Sequence, residues 1–223
     1  MRRRLRNTVI SFIFVVTAVN LFATESGIPG LPLGNMEFSA GSGFGYIYRP
    51  LQNPDNYVDA ISSFQMILKG GMGITDYINI FIFGGLNDAR KKIGNFRGVL
   101  SPFYGLSLRL IPLNENFTFI NLAFEVAAEY SKISGSEANL YWTKIDAKLS
   151  VSKLFSEIFG FYGGVKYSYH FIKLSSLSER SRSVTPWGIF IGMDYFVTPY
   201  IFFEAEMHNF DQDALFLMVG SKF

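Results

Sequence analysis

The chain has 223 residues, of which 49% are hydrophobic and 17% aromatic, with 24 Phe, 12 Tyr and no cysteine. A disulfide framework, a thiolate metal site and an amino-terminal lipid anchor on cysteine are therefore excluded. Of the 20 Lys+Arg, four stand at the extreme amino terminus; the 16 that remain face 18 Asp+Glu, a balance that implies no nucleic-acid partner.

The chain opens MRRRLRNTVISFIFVVTAVNLFATESG. Arg2, Arg3, Arg4 and Arg6 precede an apolar run from Val9 to about Ala23, which ends in small and polar residues. That order is the pattern of a secretory signal, and the run falls short of the ~20 residues that a spanning helix needs. Residues 1–23 are expected to be a signal peptide cut after Ala23, with 24–35 an amino-terminal segment and 36–223 a single domain.

From Met36 onward the pattern is alternation. Residues 36–49 set Phe38, Phe44, Tyr46 and Tyr48 on one face and Glu37, the glycines and Arg49 on the other. Residues 64–74 set Phe64, Met66 and Leu68 against Gln65 and Lys69. A tight turn at Thr75-Asp76 then leads to Ile78, Ile80 and Ile82, opposite Asn79, Phe81 and Phe83. Residues 99–111 set Tyr104, Leu106, Leu108 and Leu110 against Ser107 and Arg109. Residues 117–131 set Leu122, Phe124, Val126 and Tyr130 against Glu125 and Glu129. In residues 140–152 three charges, Lys144, Asp146 and Lys148, share one face opposite Tyr141, Ile145 and Leu149. Residues 158–172 set Val165, Tyr167, Tyr169 and Phe171 against Lys166, Ser168 and His170. Residues 186–196 set Trp187, Ile189, Ile191, Met193 and Tyr195 against Asp194. Residues 200–208 set Phe203, Ala205 and Met207 against Glu204, Glu206 and His208. The last strand sets Leu215, Leu217 and Val219 against Phe216, Met218, Gly220 and Lys222.

These are ten strands, each near the ~9–11 residues that a tilted strand needs to cross hydrocarbon. Connections at 75–76, 112–116, 153–157 and 197–199 are short. Those at 50–61, 88–97, 132–138 and 173–183 are longer and polar, with 209–213 a shorter member of that set. The chain ends on a bare aromatic, Phe223.

The signal, the repeated hairpins such as GGMGITDYINIFIFGG and the terminal phenylalanine resemble the small bacterial outer-membrane β-barrel proteins. The resemblance implies an all-β, closed, antiparallel up-and-down transmembrane barrel of ten strands, with eight as the alternative count. It also implies a place in the outer membrane, contact with its lipid and lipopolysaccharide, and Phe223 as a signal read by the barrel assembly machinery. A secreted soluble barrel of lipocalin type would need the same alternation with the apolar face inward. The aromatics near strand ends on the apolar faces (Tyr46, Tyr48, Tyr104, Tyr130, Tyr141, Tyr169, Trp187, Tyr195 and Phe223) favour a bilayer, whose two interfaces collect such residues.

The polar faces then line a lumen holding Glu37, Lys69, Arg109, Glu125, Glu129, Lys144, Asp146, Lys148, Lys166, Asp194, Glu204 and Glu206. Similar numbers of acids and bases predict an interlocked network of ion pairs, because buried charges must be paired. Ten strands are also far fewer than the ~16–18 of porins with aqueous channels. The functional expectation is a largely filled barrel in a structural, binding or narrow-transport role, with no cofactor and no metal. The enzymatic alternative, protease-like or lipid A-modifying, rests on His170 and His208 beside carboxylates, without a nucleophile motif. Arg90, Lys91, Lys92, Arg97, Arg180 and Arg182, in the longer loops, are candidates for neutralising lipopolysaccharide phosphates.

Overall fold

The computed structural model describes residues 33–223 apart from 53–57, 92–95, 115–118, 136–137, 156–157 and 176–179. The expected signal peptide, most of the segment 24–35 and Lys92 lie outside these residues. Ten long strands follow one another up and down: β1 Phe38–Gln52, β2 Val58–Thr75, β3 Ile78–Asn87, β4 Ser101–Leu113, β5 Asn121–Ser134, β6 Asn139–Phe155, β7 Phe159–Leu174, β8 Trp187–Phe196, β9 Ile201–Asn209 and β10 Asp213–Lys222. Each pairs antiparallel with its neighbours, and β1 closes on β10 from Ser39↔Lys222 to Tyr48↔Asp213. The ring of ten leaves the eight-strand alternative without support.

The exterior carries the apolar phase of every strand. Ile82, Tyr104, Leu106, Trp187 and Ile191 all stand more than half exposed on it, while Lys69, Glu125, Asp146, Lys166 and Glu206 lie buried within. A soluble fold has no use for such an inversion; a bilayer does. Aromatics pair along its edges, Tyr104 with Tyr130 at 5.6 Å and Tyr167 with Trp187 at 5.0 Å toward the long loops, Phe159 with Tyr195 at 5.1 Å toward the turns. Because every strand in the ring has two neighbours, no edge remains for detergent to invade. Unboiled protein in detergent should therefore migrate as a compact β-rich species that boiling shifts, and identical mobility before and after boiling would contradict the closed ring.

Several strands run further toward the long loops than single-phase alternation predicts, and there the polarity of the two faces exchanges. Along β5 the outward residues pass from Val126 and Tyr130 to exposed Lys132, while the inward ones pass from Glu125 and Glu129 to buried Ile133. Along β7 the outward face goes from Tyr169 to exposed Lys173, and the inward face from His170 to Ile172 and Leu174. Beyond the bilayer the wall meets water outside, so its apolar side turns inward.

This outer part of the wall closes as a second, smaller ring. Arg180–Ser183 pairs with β7 at Arg180↔Lys173 and with β1 at Leu51↔Ser183, bridging over β8–β10. Arg90–Lys91 pairs with β2, Phe96–Arg97 with Arg90–Lys91, and Gly98 bridges to Gly135 just past β5.

The start of β1 and the end of β10 meet at the opposite, short-turn end. Phe38 and Phe223 exchange backbone hydrogen bonds of 2.8 and 2.9 Å, and the Phe223 side chain stays exposed. Phe223→Ala keeps both of these backbone hydrogen bonds and should cost the folded barrel at most ~1.5–3 kcal/mol of side-chain burial; if Phe223 is also the assembly signal that the resemblance implies, the same substitution should reduce insertion in cells far more, and normal insertion would contradict that role. Beside it, Leu33 is buried against Phe81 in the barrel mouth. Its N–H donates to Asn79 Oδ1 at 3.1 Å, and Asn79 Nδ2 donates back to the Leu33 carbonyl at 3.0 Å. Asn79→Ala leaves both backbone groups without these partners and should expose the Leu33 segment to protease added from that side, whereas the wild type resists.

Candidate functional site

Seen from the short-turn end, the interior has a floor, a charged middle and a cap. The floor is Phe196, Phe202 and Met218 with Leu154 packed against them. Several lumenal aromatics lie over glycines directly across the ladder: Phe202 over Gly220, Phe216 over Gly45, Tyr162 over Gly192 and Phe83 over Gly105. A Cβ on Gly45 would lie 2.3 Å from the Phe216 ring, so the alternation of Gly and aromatic residues on the lumen face fills space without overpacking.

The middle is cross-linked by charge. Arg109 Nη2 lies 2.8 Å from Glu125 Oε2, and Lys144 Nζ 2.9 Å from Asp146 Oδ2. Lys148 on β6 reaches Glu206 on β9 at 3.6 Å, past two intervening strands. Glu206 also holds His208 Nε2, and His208 Nδ1 is 2.5 Å from Lys166 Nζ. Tyr162 donates to Glu204 at 2.6 Å, and Lys69 Nζ sits 4.8 Å from the centre of the Phe81 ring. Glu129 lies directly opposite Lys144 across β5 and β6, and Asp194 opposite Glu204 across β8 and β9. Glu37 stands at the rim, paired with Lys222 Nζ at 3.4 Å.

The centre of this network escaped the sequence reading. Asp211 and Gln212 belong to the loop between β9 and β10, yet both are buried. Phe210 has a positive φ of 76°, uncommon for a bulky residue. That conformation leaves its own ring exposed and turns the next two side chains into the lumen. Asp211 Oδ2 binds Arg49 Nη2 and lies 2.9 Å from Lys166 Nζ, joining β1 to β7. Gln212 Oε1 accepts from Arg49 Nε at 3.3 Å, and Ser183 Oγ accepts from Arg49 Nη1 at 2.8 Å. The sequence offered one signal: an Asp-Gln pair in the shortest of the long connections, beside an Arg49 and a Lys166 that needed anions.

The cap lies inside the smaller ring: Leu51, Ile61, Ala89, Phe96, Ile133, Leu140, Trp142, Ile172 and Leu174 form one buried apolar cluster. Beneath it Trp142 Nε1 donates to His170 Nδ1 at 2.9 Å. The two histidines thus belong to different neighbourhoods, His170 under the cap and His208 in the Glu206–Lys166 chain.

Of the loop cations, Lys91 points inward to Asp59 Oδ2 at 3.3 Å and Ser181 Oγ at 3.4 Å, because strand alternation past Arg90 turns it to the lumen. Arg90, Arg97 and Arg182 are exposed on the wall, and Arg180 contributes its backbone to the smaller ring.

No protein-family model matches the chain, and no curated protein matches it in sequence. Solved structures do. An outer membrane channel from Pseudomonas putida F1 superposes with a TM-score of 0.50 at 10% identity, covering 89% of this chain and 100% of that one. The translocator domain of the autotransporter NalP from Neisseria meningitidis gives 0.46 at 6% identity, covering 99% and 95%. The transport unit of the autotransporter AIDA-I from Escherichia coli gives 0.45 at 10%, covering 96% and 97%. At these identities the likeness is one of fold. The inverted exterior and the likeness to the Pseudomonas channel define the class: a transmembrane β-barrel of the outer-membrane kind, with buried salt bridges inside.

Proposed function

We propose that this barrel works as a sealed, charge-braced unit of the outer membrane, exported by its amino-terminal signal and inserted by the assembly machinery that reads Phe223. Its role is structural or binding, exercised through the outer rim rather than through the lumen. The observation that carries the reading is the nine-residue apolar cap inside the smaller ring. A hydrated ion would have to shed its water to pass such a cluster, and the ion pairs below already engage Arg49, Lys148, Lys166, Glu206 and Asp211 with one another. His170 and His208 act in this reading as members of the network. Proteoliposomes holding the wild-type chain should show no swelling in solutions of small sugars; swelling at porin-like rates would refute the sealed reading.

One observation supports a second reading, narrow and gated transport. Among the described residues, Asn87, Ser107 and Ser131 have buried side-chain atoms without a protein partner. Buried polar atoms of this kind are met by water in other proteins. They give the interior a polar stratum that movement of the cap would connect to the outside.

A further inference from the structure

The outer wall holds a row of outward side chains that crosses four strand segments. Tyr48 lies opposite Ser62, Ser62 opposite Arg90, and Arg90 opposite Arg97. The row lines a recess of about 330 Å³, with Tyr46 below Tyr48 on the same face. Two arginines directly opposite one another in an antiparallel ladder repel. Among the described residues the acid in ion-pair range of Arg90 is Asp88, whose Oδ2 lies 3.8 Å from Arg90 Nε and whose Oδ1 already accepts the Phe64 N–H at 2.6 Å. No acidic side chain among the described residues pairs with Arg97. Among the described residues, the two facing guanidinium forks thus have one partly engaged carboxylate, on Arg90, beside two exposed tyrosines.

The height of the row on the wall says what compensates it. Tyr46, Tyr48 and Tyr104 form the outward aromatic edge at the long-loop end, where ring side chains sit at headgroup level. Above it the outward face turns polar, as at Lys132 and Lys173. We propose that Arg90 and Arg97 bind the phosphate of an outer-leaflet lipid, whose apolar chain runs down over Tyr46 and Tyr48. The guanidinium fork matches phosphate geometry in a way that an ammonium does not. This site deepens the rim-binding reading. It requires the barrel to stand in a bilayer but not its lumen to be closed, so conductance and swelling do not bear on it.

The test is native mass spectrometry of the full-length barrel released from detergent after titration with phosphatidate, diacylglycerol or inorganic phosphate. The wild type should retain one phosphatidate, and R90Q/R97Q should retain roughly tenfold less, the size expected for losing charge-assisted hydrogen bonds. K153Q, which removes a cation at the short-turn end, should behave as wild type. Diacylglycerol, which has the chains without the phosphate, should be held no better by wild type than by the double variant, and equimolar inorganic phosphate should not displace phosphatidate. R97Q alone, changing an exposed residue, serves if the double variant does not fold, and should also reduce retention. Equal phosphatidate retention in wild type and variants overturns the site. Displacement by inorganic phosphate overturns the lipid in favour of a free anion, and parallel loss of both lipids reduces the recess to an apolar groove.

Discussion

Asp211→Asn should be among the most damaging single substitutions in the barrel, lowering its stability by about 3–5 kcal/mol. The variant keeps volume and one acceptor oxygen but removes the carboxylate charge that lies within ion-pair distance of both Arg49 and Lys166. Both cations are almost wholly buried, on β1 and β7, and neither can reach water without opening the wall. Breaking a buried pair is costly because the surviving charges stay desolvated. Lys148→Ala should be milder, since its contact to Glu206 is 3.6 Å and Glu206 keeps His208. Urea denaturation in micelles, followed by loss of heat-modifiable mobility, checks the order. Equal midpoints for Asp211→Asn and wild type would remove Asp211 from the centre of the network.

The double substitution Trp142→Ala with Ile172→Ala should open the cap. The two residues face each other across β6 and β7 within the apolar cluster, and truncating the indole alone costs about 3–5 kcal/mol of packing. It also removes the donor to His170 Nδ1. The absence of cysteine makes the effect directly readable. Ser131→Cys places a single thiol directly opposite Trp142 in the ladder, on a buried lumenal side chain. In an otherwise wild-type barrel a membrane-impermeant maleimide should leave that thiol unmodified, and in the double variant it should label it readily. Fast labelling in both backgrounds would show that the cluster does not seal the lumen.

Much of the barrel was legible in the sequence because period-two alternation reports which of two solvents each side chain meets. Lys144, Asp146 and Lys148 on one face of β6 separated the two faces, and the aromatics near the strand ends assigned the other face to lipid. The outer wall was not legible, for a physical reason. Past Tyr130 and Phe171 the two solvents exchange sides, so Ile133, Ile172 and Leu174 point inward just where a fixed phase would place them in a loop. The cap is built from those residues, and a rule that stops a strand when its phase breaks also stops before the cap. The charges of the lumen could be named from their faces, but their partners could not. Lys148 lies opposite Glu125 in the ladder and binds Glu206 across the interior. Asp211 entered through the reversal at Phe210, which no alternation pattern carries.

The claim that the lumen is sealed is tested most directly by current through single molecules. Wild-type full-length barrel, purified in detergent and inserted into a planar lipid bilayer in concentrated potassium chloride, should give no stable stepwise conductance, while Trp142→Ala with Ile172→Ala should give more frequent openings under the same voltage. A large steady conductance in the wild type, unchanged by that double substitution, would contradict the sealed barrel and make the protein an open channel.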